Sequence, residues 1–241
     1  MLYLAFTNLP VYGRQLDGLD INIPLDLTRL DAGLTWDYCG SPSNKRPSTL
    51  QQSKISLETP INISADNVEF FLETGKVILQ GNVVADRGNQ HLESDAITYE
   101  RALGLIHSPG PTLLKQPELR LLGLKTEVNI LTHQAKMSQL NYRMIGNNAR
   151  GRAASAFIEN DLHSHYQDIT YTTCPRGNNA WLLSADKLDV DRKEGAAIAK
   201  NVILNIAGLP VFYTPYLSIP IDDRRKSGFL FPTIGISSRL G

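Results

Sequence analysis

The sequence carries no excess of either charge, since Lys+Arg and Asp+Glu stand at 24 each. It therefore has no broad basic field to neutralise phosphates, which excludes a dedicated nucleic-acid binder. No run approaches the ~18 consecutive apolar residues that a transmembrane helix needs. The apolar start, Met1 to Phe6, is too short for the core of a secretory signal, and the first basic residue is Arg14. If the protein is exported, a mature form, a cut chain or a truncated reading frame is expected here. The nucleophile-elbow, zinc-protease, phosphate-loop and dinucleotide-binding motifs are all missing. The two cysteines, Cys39 and Cys174, are too far apart for a local redox or zinc pair. Three options remain for them: one long-range disulfide, two bonds to groups outside the chain, or two buried thiols. His163 and His165 could share a strand face, but no third ligand accompanies them, so neither metal nor cofactor is expected.

Helical periodicity is also missing: no window keeps an amphipathic period for three turns. What the 241 residues do contain, from Ile55 onward, is short alternating runs of Val, Ile, Phe, Tyr and Thr, punctuated by Gly, Asn and Asp. That texture predicts an all-β chain. The first 50 residues are irregular, with Pro10, Pro24, Pro42 and Pro47 and a polar connector from Ser41 to Ser48. Three regions follow: 1–50, 51–207 and 208–241.

Self-comparison reveals a repeat of about 30 residues. The unit Ser64-Ala65-Asp66, Val68, Phe70, Gly75 and Val77 recurs as Asp95, Ile97, Tyr99, Gly104 and Ile106. Further copies are Val128, Ile130, Ala135 and Met137, then Ser184-Ala185-Asp186, Leu188, Val190, Gly195 and Ala197, with a weaker one at Ala156, Ile158 and His165. Each unit predicts a strand, a turn at the glycine and a returning strand. Residues at i and i+2 share one side of the pleat, so stacked units give a folded-over sheet with an apolar interior and open edges. The cleft between the walls is either filled as an ordinary core or left as a groove able to admit alkyl chains, and its candidate lining is Val68, Phe70, Val77, Leu79, Ile97, Tyr99, Ile106, Val128, Ile130, Met137, Phe157, Leu188 and Val190. In the last region, Pro210, Pro215 and Pro220 confine strands to short pieces or an edge. Aromatic residues around them, followed by Asp222, Asp223, Arg224, Arg225 and Lys226 and by Pro232, fit equally a chain approaching a membrane interface and the surface loop of a soluble domain.

Three stretches together resemble a known family: the Ser64-Ala65-Asp66 unit with Gly81-Asn82-Val83, the segment Tyr171-Thr172-Thr173-Cys174-Pro175-Arg176-Gly177-Asn178-Asn179-Ala180-Trp181, and the tail from Val211-Phe212-Tyr213 through Arg224-Arg225-Lys226-Ser227-Gly228-Phe229-Leu230. From about residue 35 to 241 the chain is similar to the LptD family of lipopolysaccharide-assembly proteins of Gram-negative bacteria, and specifically to the periplasmic OstA-like domain. The resemblance implies a periplasmic β-jellyroll, or β-taco, over 51–207, followed from residue 208 by the junction to a transmembrane β-barrel and its first strand region. It implies that an apolar groove takes lipopolysaccharide from an OstA-like bridge protein, docked by strand-edge pairing, and passes it to a barrel plugged by an outer-membrane lipoprotein, LptE. The location implied is the periplasmic face of the cell outer membrane. In the family, two cysteines matching Cys39 and Cys174 bond to a pair near the barrel's far end, and no such pair occurs here. Each long closure of that kind is worth roughly 4 to 5 kcal/mol in the chain-entropy model. A membrane strand needs about 9–11 residues, so the stretch from Gly208 to Gly241 is expected to supply one or two barrel strands, as a fragment able to remain soluble. No enzymatic activity is expected. The rival readings are a free-standing periplasmic bridge or scaffold of the same repeat, and a β-solenoid glycan-active enzyme, which would need paired carboxylates roughly 5 to 9 Å apart.

Overall fold

The computed structural model describes residues 25–36, 39 and 60–221. They form one short helix, α1 (Thr28–Asp31), and a single antiparallel sheet. Its strands are β1 (Asn62–Ser64), β2 (Asn67–Phe71), β3 (Lys76–Arg87), β4 (Gln90–Glu100), β5 (Leu105–Ser108), β6 (Thr112–Lys115), β7 (Leu119–Asn129), β8 (Gln134–Met144), β9 (Ala149–Ile158), β10 (His163–Tyr171), β11 (Trp181–Asp191), β12 (Ala196–Ile206) and β13 (Leu209–Pro220). Each long strand pairs with its neighbours in sequence. β1 and β2 share the length of β3, and β5 and β6 behave as one interrupted strand between β4 and β7. The all-β class expected from the residue texture is the one observed. The repeat's glycines sit where it puts them: Gly75, Gly104 and Gly195 close hairpin turns with φ of 63°, 61° and 62°.

A line of left-handed residues crosses the middle of the sheet. Asn82, Lys125, Gln139, Asp168 and Asn201 have φ between 44° and 52° inside β3, β7, β8, β10 and β12. Pro109-Gly110-Pro111 interrupts the same line between β5 and β6. A left-handed residue inside a strand bends it sharply, at roughly 1–2 kcal/mol for a residue with a Cβ. Asn and Asp tolerate the conformation best. The bend is held by local hydrogen bonds. Asn82 Nδ2 donates to Asp66 Oδ2, and Asn201 Nδ2 donates to Asp186 Oδ2, both at 2.8 Å. The aspartate of the Ser-Ala-Asp repeat is thus a crease residue.

The crease divides the sheet into a front limb (residues 67–80, 96–108, 126–138, 155–167, 187–200 and 216–220) and a back limb (83–94, 112–124, 140–153, 169–185 and 202–214). Their apolar faces close on each other. Leu79 and Ile97 of the front limb pack with Val83 of the back limb, Ala156 packs with Leu140 and Ala153, and Ala199 packs with Ala185 and Val202. Hydroxyls bridge the limbs where the prolines interrupt pairing: the Ser94 and Ser108 hydroxyls lie 2.8 Å apart, and Thr112 Oγ1 donates to Ser108 Oγ at 2.8 Å. On the outside of the back limb, Leu30 of α1 covers the cross-strand pair Leu113 and Leu122.

Gly81, with φ of 74°, sits beside Asn82 in the crease, and a Cβ there would lie 2.9 Å from the Asp66 Cβ. Gly81→Ala is expected to lower unfolding stability by roughly 1–2 kcal/mol in a urea titration, by combining left-handed strain with displacement of Asp66.

Candidate functional site

Strand register assigns the inner face residue by residue. Directly opposite partners run Phe70, Val77, Tyr99, Ile106, Val128, Ala135, Ile158, Ser164, Val190, Ala197 and Ile219, an unbroken line from β2 to β13. A second line lies one step nearer the crease. It opens with Val68, Leu79 and Ile97 and closes with Met137, Ala156, Tyr166, Leu188, Ala199 and Leu217. Opposite partners share a face, so each line is a continuous stripe. The outward line between them is polar in its middle, running His107, Glu127, Lys136, Phe157, His165 and Asp189.

Burial falls off with distance from the crease along β3, β4 and β7, whereas Ser164 and Ala197 on the outer line and Tyr142 and Ala149 far out on the back limb are buried as well. Leu79, Ile97, Ala156 and Ala199 are buried, whereas Val77, Tyr99, Ile106, Val128 and Val190, one step further out, are only half-buried. On the back limb Val83, Leu140, Ala153 and Val202 are buried, while Ala85, Leu92, Leu114, Leu121, Leu183 and Leu204 are half-buried. Two walls joined along one line and diverging from it give this gradient. The cross-section is a V, packed at its base. Met137 lies at the base, against the back limb, where a Cβ on Gly123 would fall 2.5 Å from its sulfur.

The candidate lining therefore divides. Val68, Phe70, Val77, Leu79, Ile97, Tyr99, Ile106, Val128, Met137, Leu188 and Val190 are brought together on the inner face. Phe157 is not: it pairs with Lys136 and His165, stacks on the His165 ring at 6.2 Å, and lies under the Lys136 ammonium at 5.6 Å. Strand alternation turns Phe157 outward and puts its neighbours Ala156 and Ile158 inward. Ile130 lies past the end of β7, in the turn that covers Gly104. His163 and His165 face carboxylates on the outside: His163 lies 3.8 Å from Asp191, and His165 lies 2.8 Å from Asp189 and 3.4 Å from Glu159. The Asp189 hydrogen bond raises the His165 pKa above its ordinary value. Among the described residues, no group of three or more His, Cys, Asp or Glu is placed to hold a metal. Pro210, Pro215 and Pro220 lie on the last strand, with Pro215 opposite the bent Asn201 where ladder pairing lapses. Asp222, Asp223, Arg224, Arg225 and Pro232, and with them the expected start of the barrel, lie outside the described residues.

A second constellation, unforeseen in the sequence, covers the outside of the back limb. Lys115, Arg120, Arg143 and Arg150 stand directly opposite one another across β6, β7, β8 and β9. Like charges in that register repel, and the segment 25–36 compensates them. Arg120 Nη1 donates to the carbonyls of Leu30 and Ala32 at 3.1 and 2.7 Å. Arg143, 1% exposed, lies 3.9 Å from the Trp36 ring centre and 3.5 Å from Asp31. Arg176 Nε donates to Asp31 at 2.8 Å, and Trp36 Nε1 donates to the Thr173 carbonyl at 3.1 Å. Arg150 Nε donates to the Cys174 carbonyl at 2.8 Å. Glu93 accepts from Lys115, Arg29 and His91. Burial alone would raise its pKa, but those three hydrogen bonds outweigh it and hold the carboxyl at about 2 against an ordinary 4.5.

This clasp ends in a covalent bond. Cys39 and Cys174 are joined to each other, S–S 2.05 Å, across 135 positions. The bonds to cysteines outside the chain that the family resemblance implied are thus replaced here by the single long-range bond, one of the three options the residues left open. The physical reason is the docking of Trp36 and Asp31 on the arginine row, which sets Cys39 beside the Thr173-Cys174 segment.

An antiparallel sheet folded along a crease onto its own apolar face defines an all-β jellyroll of the OstA-like kind. A family model described as LptA/(LptD N-terminal domain) LPS transport protein matches residues 62–196, and the chain belongs to that family. It is 33% identical over 184 residues to the LPS-assembly protein LptD of Alkalilimnicola ehrlichii, covering 76% of this chain and 24% of that protein. To the LptD of Nitrosococcus oceani it is 32% identical over 206 residues, covering 86% and 28%. To that of Hahella chejuensis it is 38% identical over 160 residues, covering 66% and 20%. The chain thus spans about a quarter of the length of the curated relatives it matches. A crystal structure of LptH, the LptA homologous periplasmic component from Pseudomonas aeruginosa, aligns over 42% of this chain and 77% of its own at 20% identity, with a TM-score of 0.37.

Two outcomes are expected of the clasp. A carboxyl whose folded pKa is depressed contributes stability above its unfolded pKa and loses it as pH falls toward the folded value. The Trp36 indole signal should therefore shift toward that of a released segment as pH drops from 4.5 toward about 2, and Glu93→Gln should abolish the transition. Reducing the Cys39–Cys174 bond should lower unfolding stability by up to about 5 kcal/mol in denaturant titrations, from the loop entropy restored to the unfolded chain.

Proposed function

We propose that this folded sheet is the lipid-conducting segment of a lipopolysaccharide-assembly protein at the periplasmic face of the outer membrane. The observation that carries the reading is the pair of largely apolar lines crossing the inner face of the front limb, interrupted by Ser164 in the outer line and by Ser108 and Thr126 in the inner one. An acyl chain gains ~0.8 kcal/mol per buried methylene, so a chain of a dozen carbons resists passage through water by about 10 kcal/mol. A largely apolar wall lowers that barrier, and the saccharide stays in water outside the V.

The two ends of the sheet support the same reading. β1 and β2 leave an edge at one end, with Ile61, Ile63, Phe70 and Phe71 exposed, and β13 leaves another, with Val211, Phe212, Tyr213 and Tyr216 exposed. An edge that displays both unpaired backbone and apolar side chains accepts a further strand. In this reading the β1/β2 edge receives lipid from an OstA-like bridge protein, and the β13 edge continues into the barrel that holds the lipoprotein LptE. Residues 51–207 are the transport domain, 1–50 the connector that carries the clasp, and 208–241 the junction where the barrel begins. The chain performs no covalent chemistry.

Photocrosslinking tests this. Benzoylphenylalanine at Tyr99 or Val128, facing inward, should capture lipopolysaccharide, whereas the same probe at Thr98 or Glu127, one residue away and facing outward, should not. Equal labelling at all four positions would reject an inner lipid path.

A further inference from the structure

The sheet has two free edges, and they offer different backbones to a strand from another molecule. At one end β1 and β2 each pair with β3 alone, and neither contains proline. At the other end β13 pairs with β12 alone and carries Pro210, Pro215 and Pro220 within its 12 residues. β13 has no charged residue, and its Leu209, Val211, Phe212, Tyr213 and Tyr216 are all exposed. A long, uncharged edge with apolar side chains is the kind that recruits further strands, and charges, bulges or prolines are what blunt it. On β13 that task falls to the prolines and to one register shift beside Val211.

The hydrogen bonds around β12 and β13 fix which way the prolines face. Ala207 and Gly208, with φ of 49° and 82°, form a two-residue turn that closes on the pair Ile206 and Leu209. Ala207 N donates away from β13, to the Ala180 carbonyl at 2.9 Å, so Ile206 before it turns its polar groups toward Leu209. Successive residues of a strand alternate in this respect, which leaves the Pro210 nitrogen on the free edge. At the far end Ile221 N donates across the ladder to the Gly195 carbonyl at 3.1 Å, so the Pro220 nitrogen before it also lies on the free edge. Neither proline costs the β12 ladder a donor, and each removes one from the edge that another chain would meet. Pro215 stands between them opposite Asn201, at the crease where the ladder already lapses. The spacing thus puts one ring on the back limb, one at the bend and one on the front limb.

We infer that these three prolines close the β13 edge to strand addition, so that a second copy of this chain cannot stack its β1/β2 edge there. Without them, two unlike edges on one sheet would join head to tail, a contact that does not close on itself and builds filaments. On either limb an incoming carbonyl meets a pyrrolidine ring in place of an N–H, and stays unpaired in the new interface. Exposed side chains at the two ends attract a strand alike, but the β1/β2 end alone keeps its donors along both strands. The chain's own covalent continuation past Pro220 needs no ladder on β13 and is not affected. The block acts on the backbone and is independent of what the sheet carries.

Sedimentation velocity on the whole chain tests this. Pro210→Thr/Pro220→Thr restores one outward N–H on each limb at exposed positions, and circular dichroism confirms that the β signal is kept. The unaltered chain should sediment as a monomer, and the double variant should self-associate at least about tenfold more tightly, into a series of multimers rather than a single dimer. Adding Val68→Lys/Phe70→Lys, which puts charge on the opposite edge, should return the variant to monomer. A folded double variant that stays monomeric would overturn the inference, as would multimers that survive the added lysines. A second measurement does not depend on how the variants fold. Benzoylphenylalanine at Ile63 in the otherwise unaltered chain should give no covalent dimer on irradiation, and a dimer joined through residues 209–220 of the other copy would show that β13 accepts a strand with its prolines in place.

Discussion

The bend imposed by a row of left-handed residues is the constraint on which the rest of the structure depends. A flat antiparallel sheet of this length would leave one whole apolar face in water. Folding it along Asn82, Lys125, Gln139, Asp168 and Asn201 lets that face bury itself without a second sheet or covering helices. The backbone strain is concentrated at one point in each of β3, β7, β8, β10 and β12, and at two of these the side chain repays part of it: Asn82 reaches Asp66 and Asn201 reaches Asp186. Everything attributed to the trough, its two walls and its packed base, follows from where that line falls.

The arginine clasp solves a different problem. Four cations in direct register on the outer face of the back limb would oppose strand pairing there. Arg120 and Arg143 find their partners in the segment holding Asp31 and Trp36, which contributes no strand to the sheet, while Lys115 pairs with Glu93 of β4 and Arg150 with the loop at Cys174. The buried guanidinium of Arg143 is tolerable because a ring, a carboxylate and carbonyls surround it. Electrostatics thus binds the irregular N-terminal segment to the fold, and the disulfide fastens an arrangement already favoured.

Much of the fold was legible in the sequence because the pleat has a period of two and the turns need glycine. The i and i+2 spacing placed Val77, Tyr99, Val128 and Val190 on one face, and the repeat located Gly75, Gly104 and Gly195 at their turns. Errors arose where a single residue decides the face. Phe157 is expected in the lining, yet its neighbour Ala156 is the inward residue, because register, not size, chooses the side. The role of the repeated aspartate was hidden since its partner, the bent asparagine, is distant in sequence. The clasp was invisible for the same reason: Trp36 and Arg143 become neighbours only after the strands pair, and nothing in their spacing signals it.

The strictly sequential pairing of hairpins also has an evolutionary implication. Each hairpin brings its own crease position, its own share of both walls and its own rim turn, and it touches little beyond the units on either side. Duplicating or deleting one hairpin would change the length of the folded sheet in increments of ~10 Å while leaving its cross-section untouched. Such a protein can be lengthened or shortened by counting units, with no redesign of the interior.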